Sequence, residues 1–186
     1  MRVFYLGSLY VLAIVTVTIA WARPAHAAID IFMTVPELGA CGESQDSQFS
    51  GAIDVLSFAF SGKNPVSPGA GAGAGRATIS PLIINKFFDA CSPLLFSATL
   101  LGKAFPALRL EARTTGTEPF VFLTILLEQV YVSDYASGSS SEDDRFTEQV
   151  MFTFAKITFT QRSLDAAGQP LAPVTICYDV SRNMSC

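Results

Sequence analysis

The 186-residue chain is poor in charge, at 15%, and holds one tryptophan and one histidine. Both of these, Trp21 and His26, fall within the first 27 residues. The rest of the chain therefore has no imidazole. That excludes a Ser-His-Asp triad, a Cys-His dyad and any His-ligated metal. Basic residues are also scarce: 12 Lys and Arg stand against 16 Asp and Glu, for a net charge of -4 and a pI of about 4.9. Such a chain lacks the cationic surface that nucleic acid requires. It is not disordered either, because half of its residues are apolar.

The mean hydropathy of +0.40 is high, and much of the excess sits at the N-terminus. Met1-Arg2 is followed by a stretch without charge from Val3 to Ala22, then by Arg23-Pro24-Ala25-His26-Ala27. A basic start, an apolar run and an Ala-x-Ala pattern after a proline describe an export signal cleaved between Ala27 and Ala28. An uncleaved membrane anchor is the alternative, since the run is long enough to span a bilayer. Cleavage leaves residues 28–186 outside the cytoplasm, in the periplasm or beyond the cell, with no membrane segment. Losing Arg2 and Arg23 leaves ten basic against sixteen acidic residues, net -6.

Most of the remaining chain alternates apolar and polar residues with the period of a strand. Strands are expected at Ile29–Val35, Ile53–Ser61, around Leu108-Arg109-Leu110-Glu111-Ala112-Arg113, at Pro119–Val132, Glu148–Gln161 and Val174–Val180. The segment Pro119–Val132 is almost continuously apolar, so it is expected to be buried on both faces or shared with a partner. One helix interrupts the series. Ser92 reads as its N-cap, Pro93 as its first residue, and Gly102 as its stop, with Leu94, Leu95, Ala98 and Leu101 at helical spacing. Six or more strands with turn-rich connections indicate a barrel or a sandwich.

The loops carry little chemistry. Pro65 to Gly75 contains Gly69, Gly71, Gly73 and Gly75 alternating with alanine. Arg76-Ala77 stands where a phosphate-binding loop needs Lys-Ser or Lys-Thr, so the segment reads as a flexible or partner-ordered loop. Ser137 to Asp144 reads as a solvated hairpin loop without calcium-ligand spacing, and Asp165 to Pro173 as an ordinary connection. Glu111 and Glu128 could be posed as an acid and a base. However, Glu111 between Arg109 and Arg113 looks like a charge ladder on an exposed strand face. Cys41, Cys91, Cys177 and Cys186 match no zinc spacing, and in an exported protein an even count suggests disulfides. Four cysteines allow three pairings. No catalytic residue, cofactor or metal is expected.

From about Ile29 to Asn183 the order of features resembles the Hcp proteins, the tube subunits of type VI secretion systems. The resemblance rests on Ile29-Asp30-Ile31-Phe32, Gly42-Glu43-Ser44, Ile53-Asp54-Val55-Leu56-Ser57, the glycine-rich loop and Asp89-x-x-Ser92-Pro93. Its most specific stretch runs from Asp144-Arg145-Phe146-Thr147-Glu148-Gln149-Val150 to Phe152-x-Phe154-Ala155-Lys156-Ile157. It implies a mainly β fold, an Hcp-like β-barrel of two antiparallel sheets with one short helix. It also implies six-membered rings that stack into a tube whose lumen can carry effector proteins. The loop Pro65–Gly75 would contact the next ring. In such a barrel the terminal strands lie close, so Cys41–Cys186 is the first pair to expect. Tube subunits of this family carry no export signal. The reading is thus a non-enzymatic, self-assembling subunit. Its alternative is an exported barrel of the same fold that serves as a periplasmic or extracellular binding module.

Overall fold

The computed structural model describes residues 28–65, 76–141 and 144–186. Ten strands and one helix occur among them: β1 (Ile29–Thr34), β2 (Ile53–Ala59), β3 (Gly62–Lys63), β4 (Thr78–Ile79), β5 (Leu82–Phe87), α1 (Ser92–Leu101), β6 (Ala104–Thr114), β7 (Val121–Gly138), β8 (Thr147–Gln161), β9 (Val174–Asp179) and β10 (Met184–Ser185). All strand pairings are antiparallel. The larger sheet runs β10-β9-β8-β5-β2-β1-β6-β7, and a further β7–β8 pairing closes its six central strands into a barrel. The short strands β3 and β4 form the second sheet, a hairpin that carries the glycine-rich loop. Gly69, Gly71, Gly73 and Gly75 lie outside the described residues, and Pro65 is exposed at the hairpin's edge.

Closure satisfies the strand edges and points alternate side chains inward. Met33, Ile53, Leu82, Ile84, Phe105, Leu110, Ile125, Leu127 and Phe152 fill the interior. The helix adds Leu95 and Ala98 to this core and lies against β7. Its N-terminus differs from the expected one. The cap position is Cys91, and Ser92 is already helical. The oxygen that Cys91 N–H needs comes from Asp89, whose Oδ1 accepts at 2.8 Å. Gly102 ends the helix in the left-handed region at φ 60°, as a C-terminal glycine does.

β7 is not buried on both faces. Leu123, Ile125 and Leu127 point into the barrel, while Phe122, Thr124 and Leu126 form a half-buried outer face. At Gln129 the backbone takes φ 53°, and the pairing with both β6 and β8 is interrupted there without a change of register. The inward phase then resumes on Val130 and Val132. The left-handed residue changes the alternation with no residue inserted. Apolar residues of both phases therefore belong to one buried face.

The loop between β1 and β2 folds back on itself. Gly42 N–H donates to Gly51 O at 2.9 Å and Ser44 N–H to Ala52 O at 3.1 Å. A Cβ on Gly42 would stand 1.9 Å from the Ala52 carbonyl oxygen, a backbone atom that cannot swing aside. Gly42→Ala is therefore expected to cost about 1–3 kcal/mol or more, as overpacking does. Gly138→Ala, where a Cβ meets open space, should be near neutral. Thermal unfolding of the two variants checks the difference.

Candidate functional site

Two clusters of charge are buried, and neither was visible in the sequence. In the first, Lys86 of β5 is fully buried together with Glu148 of β8 and Ser92 of α1. Lys86 Nζ donates to Glu148 Oε1 at 2.7 Å, to Phe87 O at 2.8 Å and to Ser92 Oγ at 3.2 Å, and lies 2.8 Å from Asp89 Oδ1. The Tyr135 hydroxyl donates to the other oxygen of Glu148. Burial, reinforced by Glu148, pushes the Tyr135 phenol well above its ordinary value. The Ser-Lys contact has the look of a nucleophile and its base. The geometry denies it that role: an ammonium that donates to two carboxylates has no lone pair with which to take a proton from Ser92. The cluster instead ties β5, β7, β8 and the start of the helix together.

The second cluster surrounds Arg113, which is 6% exposed. The sequence placed it on an exposed ladder with Arg109 and Glu111. Those two do form an outer pair at 3.9 Å. In the β1–β6 register Arg113 stands opposite Asp30, on the same outer face as Glu111 and Phe32, while Ala112 points into the barrel. Arg113 is buried because the β1–β2 loop covers it there. Arg113 binds Asp46 from the β1–β2 loop and Asp30 at 3.2 Å, with its Cζ 5.0 Å from the centre of the Phe32 ring. Phe32 in turn stacks on Phe49 at 4.3 Å. The Arg113 hydrogen bond holds the Asp46 carboxyl below its ordinary value. This cluster fixes the returning loop to the barrel.

Glu111 and Glu128 are not brought together. Glu111 faces Thr124 of β7, four residues from Glu128, a separation of about 13 Å along a strand. Glu128 is engaged by Lys156 of β8 at 2.7 Å. No group of three or more metal-ligating side chains occurs among the described residues, and no helix among them is long and apolar enough to cross a membrane. The cysteines form two disulfides, Cys41–Cys91 and Cys177–Cys186. The Cys41–Cys186 pairing does not occur. Cys186 follows β10, which turns straight back on β9, whereas Cys41 sits beside the start of the helix. Of the expected cleavage site, Ala27 lies outside the described residues. Ala28 already belongs to the barrel, because its carbonyl accepts from Thr115 N–H and Thr115 Oγ, each at 3.0 Å.

Residues 32–161 match the family described as "Type VI secretion system effector, Hcp". The chain belongs to the Hcp family. "Protein hcp1" of Pseudomonas aeruginosa is 32% identical over 161 residues, covering 84% of this chain and 98% of that protein. The "Major exported protein" of the same organism is 30% identical over 112 residues, covering 56% of this chain and 65% of that one. A solved "type six secretion system protein" superposes with a TM-score of 0.78 at 27% identity, over 86% of this chain and all of the other. Hcp1 from Salmonella typhimurium shares the fold, with a TM-score of 0.70 at 24% identity over 86% of this chain and 99% of its own. The closed barrel with one helix is thus the Hcp fold, and the two charge clusters are structural parts of this Hcp chain.

Proposed function

We propose that the chain is exported, cut between Ala27 and Ala28, and works as a non-enzymatic ring-forming subunit of the Hcp type. Six copies close each ring, and effector proteins are the occupants of the lumen. The match to the Hcp family across residues 32–161 carries this reading. Surface chemistry supports it. The helix leaves Leu94, Leu100 and Leu101 exposed, the last at 77%, and apolar surface gathered on one element favours contact between copies. Ring stacking is assigned to the glycine-rich loop Pro65–Gly75, carried on the β3–β4 hairpin.

The test uses the exported protein, whose N-terminal sequence should begin at Ala28. Light scattering and electron microscopy should show six-chain rings. Leu101→Asp should weaken ring closure while leaving the unfolding temperature unchanged, because the side chain lies outside the core. Deleting Gly69 to Ala74 should keep the rings and reduce stacking. A wild-type monomer at high concentration would overturn the ring and favour the second reading, an Hcp-like barrel working alone as an exported binding module. The two disulfides, which suit an oxidising compartment, are the observation on which that second reading stands.

A further inference from the structure

The barrel wall changes construction along β8. On the edge opposite β7, this strand pairs with β5 through Phe152 and with β9 from Lys156 onward. Thr153, Phe154 and Ala155 belong to neither ladder. Beside this change of partner, the β3–β4 hairpin and the β8–β9 ribbon enclose a groove of about 480 Å³. That is the size of a small-molecule site.

The groove is lined by Phe60, Ile79, Ile157, Phe159, Ile176 and the ring of Tyr178. It deepens from Ile176, 62% exposed at the rim, to Ile157, 6% exposed against the core. The hydroxyl of Tyr178 is already engaged, donating to Asn183 Oδ1 at 2.8 Å. Its polar lining comes from the hairpin: Lys63, Asn64 and Thr78. Lys63 and Thr78 stand opposite each other in register. Lys63 is the one charged residue of the lining and makes no ion pair with a described residue.

We propose that this groove binds a single-chain amphipathic carboxylate, a fatty acid, with its alkyl chain on the aromatic and branched side chains and its head at Lys63. A groove with this apolar lining suits an alkyl chain, which gains with every methylene taken from water. The ammonium at one end selects the head group: it attracts a carboxylate, gives an alcohol no charge to pair with, and repels a quaternary ammonium. Asn64 and Thr78 supply neutral donors beside it. The inference stands apart from ring assembly.

The test is displacement of a fluorescent fatty acid from the exported, disulfide-intact protein, with light scattering on the same samples. Dodecanoate should bind once per chain and displace the probe. Dodecanol should be about tenfold weaker, and dodecyltrimethylammonium weaker still. Lys63→Glu, a change at an exposed hairpin residue, should reverse the preference towards the cationic amphiphile. Ile176→Asp should abolish binding of all three without lowering the unfolding temperature. Equal affinity for the three head groups, or an unchanged preference in Lys63→Glu, would overturn the proposal. So would absent binding. Absent binding in a wild type that Ile176→Asp converts from rings to monomers would assign the groove to a second copy of the chain.

Discussion

Replacing Lys86 with methionine should destabilise the barrel by about 3–5 kcal/mol, the cost of breaking a buried ion pair from one side. For a domain of this size that lowers the unfolding midpoint by roughly 6–20 °C. Methionine fills much of the space, so the loss is electrostatic: Glu148 and Asp89 keep their charges in a site with no cation to meet them. A second variant separates this from ordinary packing damage. The double variant Lys86→Met/Glu148→Gln should be more stable than Lys86→Met alone. Its amide removes one stranded charge and still accepts from Tyr135. A double variant as unstable as the sum of its parts would show that the pair is not coupled.

The two disulfides should differ in their worth. Cys41–Cys91 closes 50 residues and Cys177–Cys186 closes 9. The chain-entropy relation gives about 4 kcal/mol for the first and about 2.5 kcal/mol for the second. Cys91 is fully buried, whereas Cys186 is exposed at the chain end. Cys41→Ala/Cys91→Ala should therefore lose more stability in denaturant titration than Cys177→Ala/Cys186→Ala. A dithiol reductant should open the terminal bridge first, read by alkylation and mass spectrometry. Equal losses would mean that the buried bridge joins segments already held together in the unfolded chain.

The positions of β1, β2, β7, β8, β9 and the helix were legible because each carries its own period of apolar residues. What the sequence concealed depends on residues far apart in the chain. β5 was missed because Lys86 sits at an inward position, where a strand pattern asks for an apolar side chain. Its partner Glu148 lies 62 residues away, and no local signal joins them. Arg113 lies on the expected outer face of its strand but is buried there, because the β1–β2 loop covers it, and alternation cannot reveal a cover brought by Asp46, 67 residues away. The left-handed backbone at Gln129, which switches the inward phase, made one buried face of β7 look like two. The cysteine pairing failed for a related reason. Proximity of terminal strands is a property of the average barrel, and here the last strand doubles back on its neighbour. The exclusion of imidazole chemistry needed no three-dimensional information, because the one histidine, His26, lies ahead of the expected cleavage site.

β8 holds β5 on one edge and β7 on the other, and this has a consequence for the order of events at synthesis. β1 pairs with β2, about 20 residues downstream, but its other edge waits for β6, about 80 residues downstream, across a long loop. Any nascent fragment that stops short of Thr147 is an open ribbon with two unsatisfied rims. High contact order slows collapse into the native topology, and here the closing strand is also almost the last to emerge. The barrel thus cannot close until nearly the full length is released, and a chain not yet closed is the one that can be threaded through a translocation channel.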